Sequence, residues 1–274
     1  MIPKNNISNN IKNKVLSIQI SLSGLSFCIL QKDTQTISVL REILFDKGSN
    51  PLEVLDYLKQ LFETDADLDS DFSDIHIIHD NALSALVPKP LFNEDCLADY
   101  LKFNSKILKS DFITYDEISA HDSVNVYIPY VNINNFIFDK FGAFTYKHIS
   151  TVLMEQIIRL EQNQDDSEKM YAHVDKTHFE IVVIKQSKIQ LYNAFQYHSK
   201  EDFIYYMLFT AEQLELDPES LELILIGKVE KHDALYNIAY KYIRHIRFGK
   251  RSDTYNYQEA PNSNHSNFTL LQNF

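Results

Sequence analysis

Four aspartates stand at every second position of the segment ETDADLDSDFSD: Asp65, Asp67, Asp69 and Asp71. This spacing suits the carboxylate ligands of a calcium loop, which also needs glycine at its sixth position and glutamate at its twelfth. Counted from Asp65, those two positions hold Ser70 and His76. The segment is therefore predicted to be a solvated loop, and no metal ion is expected on the chain.

Phosphate-binding and nucleophilic sites rely on short motifs that this chain lacks. It contains no HExxH, GxSxG or GxxxxGK[ST] pattern, and Gly227-Lys228 and Gly249-Lys250 both lack the upstream glycine of a phosphate loop. Only 5 of the 274 residues are glycine, the residue that lets a backbone approach an anion closely. No cofactor is therefore expected.

The charge distribution sets one segment apart. The chain has 26 basic and 38 acidic residues, a net charge of −12, which disfavours nucleic acids and anionic membranes as partners. Residues 228–251 nevertheless include seven basic side chains and two acidic ones. Five of the basic residues form a candidate surface for an anion or a partner: Lys241, Arg244, Arg247, Lys250 and Arg251. Three interpretations stay open: this surface balances acidic groups of the chain itself, binds an acidic protein, or binds RNA phosphates.

The cysteines and the N-terminal segment indicate the cellular compartment of the protein. Cys28 and Cys96 are isolated, which favours a reducing environment over a disulfide framework. The lysines of MIPKNNISNNIKNK are not followed by the apolar stretch of a signal peptide, and no segment approaches the roughly 18 apolar residues of a membrane span. The sequence predicts a cytoplasmic protein without direct membrane insertion.

Hydrophobic patterns predict one order of elements twice: three strands, a helix and a strand. In the first half these elements cover 15–20, 25–31, 35–44, 51–63 and 74–79, and in the second half they cover 171–175, 179–185, 189–195, 200–215 and 221–226. Between the halves the patterns predict a helix within 88–109, a strand at 124–130 and a helix at 150–162. The repeat indicates two similar α/β lobes with a cleft between them.

Composition suggests where the lobes begin and end. The expected divisions are a flexible N-terminus (1–13), a first lobe (14–165), a second lobe (166–250) and a polar tail (251–274), with the polar linker NQDDSEK at 163–169. The tail ends in apolar residues that need a surface to cover, so Phe268, Leu270, Leu271 and Phe274 are expected to dock on the body of the protein.

This layout resembles the actin-like ATPase (ribonuclease H-like) fold, whose members include PilM and the GspL cytoplasmic domain. LSIQISLSGLSFCIL resembles the first phosphate hairpin of that superfamily, AHVDKTHFEIVVIKQSKIQLYNAF the second, and LILIGKVEKHDALYNIAYKY the adenosine-contacting strand and helix. ALVPKPLFNEDCLADYLKFN and YIRHIRFGKR resemble an uncharacterised bacterial family within it, the domain of unknown function DUF3822. The resemblance covers about residues 14–250.

The resemblance also locates the positions where nucleotide chemistry would lie. In active relatives the first hairpin reads Asp-x-Gly-Ser/Thr, in which the aspartate organises Mg²⁺ and the glycine admits the phosphates. The matching positions here are Gln19, Ser21 and Leu22, and Gly24 is displaced from the motif. Glutamine cannot supply the anionic oxygen that a hard cation prefers.

The second hairpin departs from the family pattern as well. Active relatives read Asp-x-Gly-x-x-x-Thr, where this chain has His173, Asp175 and Phe179. A carboxylate at the glycine position would repel phosphates at a cost of a few kcal/mol, on the order of that for like charges a few ångströms apart. A shift of one or two residues would instead give Asp175 the aspartate role and put His178 in place of the glycine.

The third motif keeps one glycine of a usual pair, as Gly227-Lys228. With three motifs altered together, the resemblance implies a pseudo-ATPase that binds a protein partner or acts as a scaffold. Two alternatives remain at this stage: an ATP-dependent phosphotransferase with a divergent site, and an RNA-associated factor that uses the basic C-terminal segment.

Overall fold

The computed structural model of the protein describes residues 13–103, 105–162 and 167–274. Residues 1–12 of the expected flexible N-terminus and 163–166 of the expected linker lie outside the described residues. Among the described residues, no helix is long and apolar enough to cross a membrane.

The first lobe begins with three antiparallel strands, a helix and a parallel strand. These are β1 (Lys14–Ile20), β2 (Gly24–Gln31), β3 (Thr36–Leu44), α1 (Pro51–Thr64) and β4 (Phe72–His79). Helix α1 begins after Asn50, whose side chain accepts hydrogen bonds from the backbone N–H groups of Leu52 and Glu53 and so satisfies two of the free donors at the helix end.

A small sheet is inserted after β4. It contains β5 (Ser84–Pro88), β6 (Thr114–Ile118) and β7 (Ser123–Tyr127) in the order β5-β7-β6, with the short helix α2 (Leu97–Leu101) packed against it. The strand expected near 124–130 corresponds to β7, and the helix expected within 88–109 is limited to five residues. Strands β5 and β6 were not predicted from the sequence.

The chain then returns to the first lobe through α3 (Val131–Phe141) and β8 (Thr145–His148), and it continues into α4 (Ile149–Glu161). Helices α1 and α3 cover the outer face of the first sheet. Helix α4 lies between the two halves of the molecule, and ten of its thirteen residues are buried. A helix that is buried on nearly every side is usually apolar all round, but α4 also buries four polar residues: Ser150, Thr151, Gln156 and Glu161.

The second lobe repeats the plan of the first. Its elements are β9 (Lys169–Val174), β10 (His178–Lys185), β11 (Lys188–Gln196), α5 (Lys200–Gln213), β12 (Glu222–Gly227), α6 (Ala234–Tyr242) and β13 (His245–Phe248). The sheet order is β11-β10-β9-β12-β13, and α5 and α6 cover its outer face. The predicted repeat of three strands, a helix and a strand in two α/β lobes is confirmed.

The C-terminal segment crosses from one lobe to the other. Its short strand β14 (Asn256–Tyr257) pairs with β3, which completes a first sheet of order β14-β3-β2-β1-β4-β8. Phe268 is buried against the inner face of the second sheet, and Leu270 and Leu271 are buried against the inner face of the first. The end of the chain therefore fills the space between the two inner faces.

Candidate functional site

The two repeats place different residues at one equivalent position. In the first lobe β1 ends at Ile20, whose carbonyl accepts a hydrogen bond of 2.8 Å from the backbone N–H of Asp80. In the second lobe β9 ends at Val174, whose carbonyl accepts one of 2.7 Å from the backbone N–H of Lys228. Asp80 and Lys228 thus follow the strands β4 and β12 and face the cleft from opposite lobes with opposite charges.

Asp80 makes the first charged bridge across the cleft. Its side chain is 1% exposed, and Oδ2 accepts a hydrogen bond of 3.1 Å from Nε2 of Gln19. Its other oxygen, Oδ1, lies 3.2 Å from Nε2 of His178 in the second lobe. Oδ1 makes this ionic contact without a well-aligned hydrogen bond from any described residue. The contact pairs a buried carboxylate with an imidazole of the other lobe.

His178 belongs to a buried chain of acids and histidines. Its Nε2 also lies 3.7 Å from Oε1 of Glu180, and Oε2 of Glu180 lies 2.8 Å from Nδ1 of His173. Burial opposes the charged form of His178, but the negative charges of Asp80 and Glu180 beside it raise its pKa well above the usual range. Burial opposes the charged form of Glu180 too, but His173 and His178 hold the pKa of that carboxyl far below its usual value.

Lys228 makes the second bridge. Its ammonium group pairs with Asp175 of its own lobe and with Glu42 of β3 in the first lobe. Burial opposes the charge on Lys228, yet Asp175 and Glu42 raise its pKa, and Lys228 in turn helps to lower the pKa of the mostly buried Asp175. Asp175 does place a carboxylate at the cleft, and Lys228 compensates its charge.

The two glycines at the cleft serve strand packing. A Cβ on Gly24 would lie 2.4 Å from the carbonyl oxygen of Ile43, and a Cβ on Gly227 would lie 2.3 Å from that of Val174. Gly227 also has a positive φ of 85°, which favours glycine. Its backbone N–H donates a hydrogen bond of 2.8 Å to the carbonyl of His265 in the C-terminal segment, so this donor is not free for a ligand.

The other residues that the resemblance aligns with nucleotide-binding motifs lie in different environments. Gln19 and His173 lie on inner-facing positions and contribute to the cleft, as described above. Ser21 is used within its turn, where its hydroxyl donates to the carbonyl of Gly24 at 3.1 Å. Phe179 does not line the cleft: it is fully buried in the outer core, with its ring centroid 4.7 Å from that of Phe203. Strand alternation explains this, because successive side chains point to opposite faces of a sheet.

A polar cavity of about 300 Å³ remains beside the bridges. Its walls carry three carboxylates, from Glu42, Asp175 and Glu230, and the C-terminal segment closes one side. Thr269 of that segment donates a hydrogen bond of 2.7 Å to Oε1 of Gln19. The cavity is thus acidic where a nucleotide would bring phosphates, apart from Lys228, which already has two carboxylate partners.

Three groups in the cleft could together hold a cation. One ligand atom from each of Asp80, Asp175 and His178 lies within 4.8 Å of the others. Two carboxylates and an imidazole suit a transition metal or zinc better than magnesium, which prefers oxygen ligands. His178 would first have to lose the proton that its acidic neighbours stabilise, and Lys228 would have to leave Asp175. Protein cations already supply the positive charge at these carboxylates.

The basic residues of the C-terminal part do not form one free surface. Arg244 binds Glu219 at 3.0 Å, and Arg247 binds Glu222. Arg251 is only 7% exposed and holds Asp253 at 2.8 Å and the carbonyl of Ser263 at 3.0 Å, so its assignment to an exposed surface was wrong. In the described part of the chain, Lys241 and Lys250 are exposed and make no ion pair. Most of this charge balances acidic groups of the chain itself.

Three acidic residues of the site were not predicted from the sequence: Glu42, Asp80 and Glu180. One signal was available for Glu180, since a carboxylate in the apolar strand HFEIVVIK must find a partner once buried. Glu42 lies on a half-exposed strand and Asp80 at a strand end, where acidic residues are ordinary. Their role depends on contacts between lobes, which local patterns do not report.

Comparison with known proteins places this arrangement in context. The sequence pattern of the family described as "Protein of unknown function (DUF3822)" matches residues 3–246. A crystal structure of a Bacteroides thetaiotaomicron protein with an actin-like ATPase fold and unknown function is similar over 87% of this chain and 91% of that one, at 24% identity and a TM-score of 0.78. The PilM-PilN type IV pilus biogenesis complex contains a chain similar over 94% of this one and 96% of its own length, at 9% identity and a TM-score of 0.61. No curated protein matches the chain. These likenesses show the actin-like ATPase fold.

Proposed function

From the premise that this chain belongs to the DUF3822 family of proteins of unknown function, we infer that it is an actin-like protein without ATPase chemistry that acts as a protein-binding module. One observation carries this proposal: the cleft between the lobes is crossed by charged bridges made of its own side chains, Asp80 with His178 and Lys228 with Glu42. Among the described residues, the cationic side chains of the cleft are already paired with carboxylates and are not free to bind phosphates.

The energetics argue against magnesium nucleotide in two ways. A phosphate entering the cavity would meet the carboxylates of Glu42, Asp175 and Glu230, whose repulsion water screens only in part. To recruit Lys228, it would also have to break a bridge and leave a buried carboxylate unpaired, which costs about 3–5 kcal/mol for a buried pair, less here because the lysine is partly exposed. Gln19 offers no anionic oxygen to magnesium and is already bound to Asp80 and Thr269.

Two features support protein binding as the alternative use of the fold. The similar chain of PilM is known in a complex with another protein, PilN. Helix α5 exposes two neighbouring aromatic rings, Tyr205 and Phe209, whose centroids lie 6.1 Å apart. Exposed apolar side chains that lie side by side form the kind of surface that binds proteins, whereas scattered single ones are ordinary.

The test is a thermal-shift and hydrolysis assay of the full chain with millimolar ATP and Mg²⁺. We expect no rise in Tm and no phosphate release, whereas a ligand at 100 times its Kd would stabilise the fold by about 2.7 kcal/mol. A saturable rise in Tm or turnover that is lost in Lys228→Met, and kept in the exposed control Lys250→Met, would overturn the proposal in favour of a phosphotransferase.

A further inference from the structure

Helix α5 places aromatic residues on its solvent side. Five residues of this helix are buried in the second lobe: Phe203, Ile204, Met207, Thr210 and Ala211. With 3.6 residues per turn, Tyr205 and Phe209 lie on the opposite side of the helix, and they are 60% and 43% exposed. The solvent side of a surface helix ordinarily carries charged and polar residues. Packing of the core therefore does not account for these two rings.

The two rings belong to a continuous aromatic strip. Phe195 of β11 stacks on Tyr206, with ring centroids 4.5 Å apart. The ring of Tyr206 lies 5.3 Å from that of Tyr205, which in turn stacks on Phe209 at 6.1 Å. Aromatic side chains are enriched in the centres of protein interfaces, where they supply much of the binding energy. The strip therefore has the composition of the centre of a contact.

Carboxylates stand at both ends of the exposed pair. Glu201 lies one turn before Tyr205, and Glu212 lies one turn after Phe209, on the same side of the helix. Both are exposed: Glu201 lies 3.8 Å from Lys200, and Glu212 makes no ion pair with any residue that the structure describes. Residues 200–219 contain six acidic side chains and one basic side chain. We call Glu201, Tyr205, Phe209 and Glu212 the α5 face.

The charge of the α5 face selects among possible occupants. Nucleic acids and anionic membranes are repelled by these carboxylates and by the net charge of −12. In a two-fold contact between copies of this chain the face would meet itself, so each carboxylate would oppose a carboxylate of the other copy. A cationic partner is attracted instead. Arginine suits the face best, because its guanidinium both pairs with carboxylates and stacks on aromatic rings.

We propose that the α5 face binds a helix of a protein partner that carries apolar residues between two arginines three turns apart. The carboxylates of Glu201 and Glu212 are separated by eleven residues, about 16 Å along the helix axis, which sets the spacing of the arginines. The apolar residues between them would cover Tyr205 and Phe209. This assignment rests on the proposed function, because it names the surface and the partner chemistry that a protein-binding module would use.

The absence of tryptophan from this chain allows a direct test, since one introduced indole then reports on its own surroundings. Phe209→Trp places that reporter in the α5 face, and Phe103→Trp, at a residue that is 83% exposed after α2, is the control. The probe is a blocked sixteen-residue helix of alanine and glutamine with arginine at its third and fourteenth positions and leucine at its seventh and tenth. We expect the probe to shift the emission of Phe209→Trp to the blue and to leave Phe103→Trp unchanged.

Charge substitutions separate the α5 face from the field of the whole molecule. A second peptide with glutamate in place of both arginines should bind Phe209→Trp at least tenfold more weakly. Glu201→Gln with Glu212→Gln should lower the affinity for the arginine peptide at least tenfold. Asp56→Asn with Glu63→Gln, at exposed positions of α1, removes the same net charge and should lower that affinity less than twofold.

Three outcomes of these titrations would overturn the assignment. They are an unchanged emission of Phe209→Trp at millimolar peptide, equal affinities for the arginine and glutamate peptides, and equal losses in the two pairs of charge substitutions. Sedimentation that shows a dimer dissociated by Tyr205→Asp would also overturn it, because a second copy of the chain would then be the occupant. None of these results would restore ATP binding, so failure of this assignment remains distinguishable from failure of the proposed function.

Discussion

The two ends of the cleft differ in the sign of one charge. After β4 the first lobe has Asp80, and after β12 the second lobe has Lys228, each held by the same backbone hydrogen bond to the end of the neighbouring central strand. Each of these side chains then pairs with an opposite charge from the other lobe, Asp80 with His178 and Lys228 with Glu42. A repeat that would give two like halves instead gives two complementary ones. Each lobe therefore supplies a counter-ion for the other, and the two faces of the cleft bind each other through these ion pairs.

The two bridges also differ in exposure, and this difference ranks their expected effects. The Asp80–His178 pair is nearly buried, whereas the side chain of Lys228 is 38% exposed. Removing one partner of a buried pair leaves an uncompensated charge, and solvent screens that penalty at exposed sites. We therefore expect the free energy of unfolding to fall more when one charge of the first bridge is removed than when one charge of the second is removed.

The largest effect is expected for Asp80→Asn. It leaves the charged His178 without its nearest carboxylate, and we expect the free energy of unfolding to fall by about 3 kcal/mol, the lower end for a broken buried pair. Urea unfolding followed by circular dichroism measures the loss. A change below about 0.5 kcal/mol, the usual range for surface substitutions, would show that the first bridge contributes nothing.

A smaller loss of unfolding free energy is expected for Lys228→Met, which keeps the approximate length of the side chain and removes its charge. Asp175 and Glu42 would then face each other without a cation, but water reaches the site, so we expect a loss of about 1–2 kcal/mol after allowance for screening. Lys250→Met, at an exposed lysine without an ion pair among the described residues, is the control and should change little. Equal losses of unfolding free energy in the two variants would contradict a stabilising role of the second bridge.

The order of elements could be predicted from the sequence because it depends on local periodicity. The apolar runs of β1 and β10 and the capped start of α1 can be recognised from neighbouring residues in the sequence. The inserted sheet could not be predicted in this way, because β5 and β6 are five-residue strands that are mostly half-buried and show no clean alternation of buried and exposed residues. Their stability comes from β7, which lies between them and is buried throughout.

The candidate site was predictable in position but not in chemistry. The resemblance brought Gln19, His173, Asp175 and Lys228 to one place, and the structure does group them around the cleft. It placed Phe179 there as well, although alternation along β10 turns that ring into the outer core. The partners Glu42 and Asp80 come from the other lobe, about a hundred residues or more away along the chain in each pairing. No local pattern reports a contact at that separation.

The unfolding free energy should depend on pH with opposite signs through His178, in the cleft, and His148, in the interior of the first lobe. The pKa of His178 is raised above its unfolded value of about 6.5, so its contribution to stability is fully present below pH 6.5 and is lost as the pH rises through the folded pKa. Burial lowers the pKa of His148, in the first lobe, to about 4, so its contribution is present above pH 6.5 and is lost as the pH falls towards 4.

These opposite signs can be measured in the two variants His178→Gln and His148→Gln. His178→Gln should be less stable than the unaltered protein at low pH, and this difference in unfolding free energy should shrink at alkaline pH. The corresponding difference for His148→Gln should instead shrink in acid. Urea unfolding between pH 4 and pH 10 gives both curves. Parallel curves for His178→Gln and the unaltered protein would show that the histidine is not charged in the cleft.

The smallest effect is expected where the C-terminal segment touches the first bridge. Thr269 donates to Gln19, which in turn donates to Asp80. Thr269→Val keeps the shape of the side chain and removes one hydrogen bond, so we expect a loss of about 1 kcal/mol in unfolding free energy. Thr34→Val, at an exposed turn, is the matched control and should change stability by less than half as much.

The central claim is that a charged pair joins the two lobes across the cleft, and a double-mutant cycle on Asp80→Asn and His178→Gln tests it most directly. The cycle isolates the interaction between the two side chains from their separate effects on folding. We predict a coupling energy of about 1–3 kcal/mol, with Asp80→Asn and Lys250→Met additive in the control cycle. Additivity of Asp80→Asn and His178→Gln within about 0.5 kcal/mol would contradict the bridge and, with it, the account of a cleft closed by its own charges.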